Sequence, residues 1–171
     1  MRKVGDEAPQ FDLPTSTPGQ GALASGARFR LADHRDRRVV VYFFPKAFTP
    51  ACAREAVRFR DNGAELEALG ADVVGISTDA IERQCEFADK LSLTFPLAAD
   101  VGGHVARAYG VLWPLVGLAQ RATFIVGPAG GAGRPARQLI EAVYWHEVQV
   151  NKHLDEVVGF LRKTQGGARA G

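Results

Sequence analysis

From residue 39 to residue 44 the chain reads Val-Val-Val-Tyr-Phe-Phe, apolar without interruption, and the run stops at Pro45. Such a run, lacking any polar alternation, predicts a strand covered on both faces. Beyond Pro50 the period changes: Cys52, Ala56, Phe59, Gly63 and Leu66 recur at three- and four-residue spacing. That predicts an amphipathic helix ending near Gly70, which suits its C-cap. A strand at 73–77, a helix at about 80–90, a short strand at 95–97 and a short helix at about 103–109 follow. An apolar connection at 111–118 leads to strands at 121–126 and 139–145, whose glycine-rich turn at 127–137 favours an antiparallel pair. The last helix, about 151–163, carries Leu154, Val157, Val158 and Leu161 on one face, and 164–171 reads as a frayed, flexible tail. At the front, 11–13 and 28–31 are short extended candidates around a loop at 14–27, rich in Ser, Thr, Gly and Pro and expected to be mobile and peripheral. Strands alternating with helices, then a hairpin and a closing helix, define an α/β fold: a mixed central sheet with helices on both faces.

Composition narrows the class. The 171 residues suffice for one domain with a substantial core, and 46% hydrophobic with 23% charged residues is ordinary for a globular chain. Basic residues (21) and acidic residues (19) nearly balance, so the net charge of +2 points to neither a nucleic acid nor a membrane as partner. Residues 1–9 carry charges and a proline where a secretory signal needs an apolar run, and an intracellular, cytoplasmic location is expected. His34, His104, His146 and His153 are scattered without ligand spacing; no metal site and no cofactor are expected, and each reads as a surface or cap residue.

The candidate chemistry lies with the two cysteines, Cys52 and Cys85. The segment Pro-Lys-Ala-Phe-Thr-Pro-Ala-Cys at 45–52 sits where the buried strand turns into a helix, a place where open α/β sheets put sites. Thr49 suits the N-cap and Pro50 the first helical position, which sets Cys52 in the first turn among backbone N–H groups without helical partners. Those donors and the positive helix end stabilise a thiolate. Thr49 brings a hydroxyl that donates and accepts, and Pro45 shields the sulfur without competing for it. The plainer alternative is a small buried hydrophobe. A dithiol reductase is excluded, because its C-x-x-C pair would need a cysteine at position 55, which is Glu.

The P-x-x-x-T-x-x-C pattern of 45–52, framed by Val-Val-Val-Tyr-Phe-Phe, resembles the peroxiredoxins, and within them the peroxiredoxin Q or bacterioferritin comigratory protein group. The similarity runs on through Gly-Ile-Ser-Thr-Asp at 75–79, Phe-Pro-Leu at 95–97, Ala-Tyr-Gly-Val at 108–111 and Arg-Ala-Thr-Phe-Ile-Val at 121–126. The resemblance implies a single thioredoxin-like domain over 1–171, with 1–37 as an N-terminal extension. It implies that Cys52 is the peroxidatic cysteine, that Pro45 and Thr49 shape a peroxide pocket, and that Arg121 holds thiolate and peroxide. Glu55 would orient Arg121, or else pair at the surface with Arg58 or Arg54. The implied activity is reduction of hydrogen peroxide or organic hydroperoxides through a sulfenic acid, recycled by thioredoxin or another thiol, in a monomer or homodimer.

The resolving cysteine departs from the group's pattern. Val57 occupies one usual position and Ala88 the other, with Cys85 three residues before Ala88 on the same helix face. Cys85 is therefore either a resolving thiol or inert packing in a stripe with Ile81 and Ala88, which would leave a one-cysteine enzyme. The apolar 111–118 segment is read as core packing of Trp113, with an interface or pocket wall as the alternative.

Overall fold

The computed structural model describes residues 1–19, 26–145 and 149–168. Its centre is a five-stranded sheet made of β3 (Arg38–Phe43), β4 (Ala71–Ser77), β5 (Leu97–Ala99), β8 (Ala122–Val126) and β9 (Ile140–Trp145). The strands lie side by side in the order β5-β4-β3-β8-β9. β3, β4 and β5 run parallel, whereas β8 is antiparallel to both β3 and β9. The predicted hairpin is therefore present, and the sheet is mixed.

β3 shows why an unbroken apolar run belongs at the centre. Val40, Tyr42 and Phe44 pack into one core beneath the sheet, and Val39, Val41 and Phe43 into another above it, all at most 1% exposed. Each such burial is worth roughly 1.5–3 kcal/mol, which a strand exposed on one face could not collect from alternate positions. Four helices, α1 (Pro50–Asp61), α2 (Gly63–Ala68), α3 (Ile81–Lys90) and α5 (Val150–Ala168), contribute to the first core. On the other face lie α4 (His104–Tyr109), the hairpin β1 (Asp12–Pro14) with β2 (Arg28–Arg30), and the 3-10 turn Leu31–His34.

The helix predicted over 50–70 is broken at Asn62. Its side-chain amide donates to the Arg58 carbonyl at 2.8 Å, competing for the helix's own acceptors as asparagine does mid-helix. Gly70 adopts φ +79°, one residue beyond the C-cap Leu69, as a helix stop requires. The strand predicted at 95–97 lies two residues later, because Pro96 has no N–H to give; its carbonyl receives the Gly75 N–H at 3.2 Å. The last helix continues to Ala168, past the end predicted at about 163, while 169–171 lie outside the described residues.

Three further expectations need correction. The 14–27 loop is not wholly peripheral: the Ser16 N–H bonds the Leu97 carbonyl and the Ser16 hydroxyl accepts the Leu97 N–H, each at 2.9 Å, which covers the β5 edge. Its residues 20–25 lie outside the described residues. Trp113 is not core: β6 (Leu112–Trp113) and β7 (Leu118–Ala119) form a small hairpin with Trp113 37% and Leu115 99% exposed. His153 is not a surface residue: it is fully buried, and its Nδ1 lies 2.9 Å from the Thr123 hydroxyl. His34 is half-buried, stacked on Phe29 at 4.2 Å and 2.8 Å from Asp72 Oδ2; His104 is exposed, and His146 lies outside the described residues.

Beneath the helix that carries Cys52, Tyr42 stacks on Phe59 at 4.6 Å and reaches across Gly75 of β4. A Cβ on Gly75 would sit 2.6 Å from Tyr42 Cζ and 2.8 Å from Leu97 Cδ2, closer than packed atoms allow. Gly75→Ala is therefore expected to destabilise the fold by about 1–3 kcal/mol, measured by urea unfolding; an unchanged midpoint would mean the Tyr42 ring has room to move.

Candidate active site

β3 delivers the chain at Phe43 to Pro45, and α1 begins at Pro50 with Thr49 in extended conformation as its N-cap (φ −84°, ψ 146°). The backbone therefore meets the expectation, but the side chain does not cap the helix. Thr49 Oγ1 donates instead to the Lys46 carbonyl at 3.0 Å, which closes the 46–49 turn. With its proton engaged there, Thr49 presents lone pairs, so it can accept a hydrogen bond from a ligand O–H. Pro45, half-buried and without an N–H, flanks the same loop.

Cys52 lies in the first turn of α1 and is 2% exposed. From the start of the neighbouring strand Arg121, the residue before β8, reaches it: Nη2 lies 3.2 Å from Cys52 Sγ, and Nη1 donates to Glu55 Oε1 at 3.0 Å. One planar guanidinium thus spans the sulfur and the carboxylate, a geometry that lysine, a single point of charge, cannot reproduce. Glu55 is paired with Arg121, whereas Arg58 turns to Asp155 of α5 at 3.0 Å. That decides between the inward and surface alternatives for Glu55.

All three side chains are at most 5% exposed, so their charges interact in a poorly screened setting. Burial pushes the Glu55 carboxyl up to about 7, against the opposing pull of Arg121. For Arg121 burial works against the charge, but Glu55 and Cys52 more than offset it and hold the guanidinium protonated beyond its ordinary range. Glu55 Oε2 and Arg121 Nε are buried without hydrogen-bond partners. The arrangement places the Cys52 sulfur beside a fixed cation, at the end of a loop that also carries a hydroxyl acceptor at Thr49, the parts needed to polarise and cleave a bond between two electronegative atoms.

Cys85 is a free thiol on α3, 5% exposed, at the edge of a cleft of about 450 Å³ shared with Ser16, Thr17 and Ser92. Burial, and then the Glu82 carboxylate, push its thiol up, which makes it a poorer nucleophile. Ala88 shares its face as predicted, while Ile81 is only half-buried. Sequence reasoning passed over Asp79 as a site residue. Its carboxylate accepts the Ala47 N–H at 2.8 Å and the Ser77 hydroxyl at 2.7 Å, tying the Cys52 loop to the end of β4. The only signal was its place in the Gly-Ile-Ser-Thr-Asp segment, whose contact with residue 47 exists only once β3 and β4 are paired.

Comparisons with known proteins show the family and the fold. The AhpC/TSA family matches over residues 4–131. A relative from Mycobacterium tuberculosis is 45% identical over 106 residues, and Peroxiredoxin Bcp of Escherichia coli K12 is 43% identical over 109 residues, or 64% of this chain. These matches span 62% and 65% of those relatives' own lengths. The crystal structure of Peroxidoxin BcpB from Mycobacterium tuberculosis superposes with a TM-score of 0.80 at 32% identity, covering 95% of this chain and 98% of its own. That of a cysteine-to-serine mutant of Xylella fastidiosa PrxQ gives 0.79 at 25% identity, covering 96% and 98%. The fold is thus thioredoxin-like in the peroxiredoxin manner, and the chain belongs to the AhpC/TSA family, among the peroxiredoxins of the bacterioferritin comigratory protein group.

Proposed function

We propose that this protein is a thiol-dependent peroxidase that reduces hydrogen peroxide and organic hydroperoxides at Cys52, in antioxidant defence in the cytoplasm. The observation that carries the assignment is Arg121 Nη2 at 3.2 Å from Cys52 Sγ, with the same guanidinium anchored on Glu55. The Cys52 thiolate attacks the distal peroxide oxygen, the O–O bond breaks, and the sulfur becomes a sulfenic acid while water or an alcohol leaves with a proton. Arg121 stabilises the negative charge that grows on the leaving oxygen. Thr49, its own proton held by Lys46, accepts the peroxide O–H and aligns the bond; Pro45 walls the approach.

The recycling step is assigned to an external thiol, such as thioredoxin or another dithiol or monothiol donor. Burial and the Glu82 carboxylate hold the Cys85 thiol protonated, which favours packing over resolution. The working unit is a monomer or homodimer. Mass spectrometry under non-reducing conditions after a stoichiometric amount of hydrogen peroxide tests the roles of the two cysteines, with wild type beside Cys85→Ser. One added oxygen on Cys52 in both proteins is the expected result. Loss of two hydrogens in the wild type alone would make Cys85 the resolving residue. No rapid oxidation of Cys52 in either protein would sink the peroxidase assignment.

A further inference from the structure

Phe48, four residues before Cys52, adopts φ +66°. A bulky L side chain enters that region only where surrounding contacts hold it. Here the contacts come from one face of α3, at Arg83, Phe87 and Lys90, spaced one and two turns apart. The Phe87 ring lies 5.1 Å from the Phe48 ring, the Arg83 guanidinium 4.8 Å over it, and the Lys90 ammonium 5.7 Å from it. Arg83 also faces Asp79 Oδ1 at 3.6 Å, while Oδ2 of that carboxylate holds the Ala47 N–H. A single α3 side chain therefore braces both Phe48 and the carboxylate that fixes the residue before it.

We propose that Arg83 is a positioning residue for the peroxidase cycle: with Asp79 and Phe48 it latches the Cys52 loop shut, and so sets how often Cys52 leaves Arg121 and becomes reachable by a thiol reductant. The inference rests on Cys52 being the reacting sulfur. At 2% exposure the Cys52 sulfur is out of reach of the sulfur of a protein or of a bulky thiol while the loop is closed. Each turnover then needs the loop closed for oxidation and open for reduction. Contacts between the loop and α3 stabilise only the closed form, so they bias that equilibrium directly. Arg83 is 46% exposed, so water screens its ion pair and the cation over the ring supplies much of its hold. A tighter latch also leaves a newly formed sulfenic acid longer in reach of a second peroxide.

The test uses the reduced full-length protein and a bulky maleimide, with labelling of Cys52 and Cys85 read separately by peptide mass spectrometry. Arg83→Ala is expected to speed Cys52 labelling by about three- to tenfold with Cys85 unchanged. Arg83→Lys, which keeps a cation for both Phe48 and Asp79, is expected to restore most of the protection, and Arg83→Gln none of it. Unchanged Cys52 labelling in Arg83→Ala would overturn the latch. So would a parallel rise at Cys85, the mark of general loosening rather than release of the loop. No peroxide enters this measurement, so failure of the peroxidase assignment shows separately, as absence of Cys52 oxidation in the wild type.

Discussion

Arg121→Ala is expected to slow peroxide-driven oxidation of Cys52 by about 10²- to 10³-fold, the usual consequence of losing a fixed donor to charge developing in a transition state. The donor at 3.2 Å from Sγ disappears, and no other side chain reaches that sulfur within hydrogen-bond distance among the described residues. Stability should fall as well, because Glu55 is left 1% exposed with its partner gone. Breaking a buried pair from one side costs about 3–5 kcal/mol when the remaining charge must stay ionised. Glu55 can escape part of this penalty by keeping a proton, so the loss should be larger at pH 8 than at pH 6. Arg121→Lys should fall between, since one ammonium cannot serve Cys52 and Glu55 at once. Competition kinetics against a reference peroxidase and urea unfolding at the two pH values measure both effects. An Arg121→Ala protein that oxidises at the wild-type rate would remove Arg121 from the mechanism.

Glu55→Gln is expected to change the pH dependence more than the fold. Burial raises the Glu55 carboxyl from an ordinary 4.5 to about 7. Across that window the folded protein holds a proton that the unfolded chain releases, so folding stability falls as pH rises, by about 3 kcal/mol at most. The stabilisation is complete below the unfolded value and spent above the folded one. Glutamine keeps an acceptor for Arg121 Nη1 but cannot ionise, so its unfolding midpoint should be flat between pH 5 and pH 8 where the wild type declines. Above pH 7 it also removes an anion that competes with the thiolate for Arg121. Alkylation of Cys52 by a small reagent at pH 8 should then be a few-fold faster than in wild type. Parallel stability profiles for the two proteins would show that Glu55 is ionised throughout, held down by Arg121.

How much of this was legible in the sequence differs from residue to residue. The path from the buried run at 39–44 through Pro45 to a helix starting at Pro50 was readable, because a continuous apolar strand and a threonine-proline helix start are local signals. So was the place of Cys52 in the first turn. Arg121 was singled out only by resemblance, since an arginine before a strand has no local mark, and the surface alternative for Glu55 fell only when Arg121 and Arg58 were seen to face different partners. The break at Asn62 was missed because the apolar period runs through it unchanged, whereas the side chain's competition for the Arg58 carbonyl is a matter of geometry. Trp113 and His153 were misplaced for one reason: residue type predicts average burial, and the position of a hairpin tip or a buried hydroxyl partner such as Thr123 depends on distant chain.

The sequence by itself determined the α/β class, the order of its main elements and the place of Cys52 at a helix start, because periodicity, proline and helix capping act over a few residues. Only the tertiary structure decided which charge meets which. Arg121 and Cys52 lie 69 positions apart in the chain, and Ala47 and Asp79 lie 32 apart. Their contacts follow from β3 pairing with both β4 and β8, which no local pattern encodes. The same pairing brings α3 against Phe48, where one arginine lies over the ring of a residue with a positive backbone φ and also faces the Asp79 carboxylate. Hydrogen bonds and ion pairs act over a few ångströms, so their partners are settled only when packing has brought distant segments together.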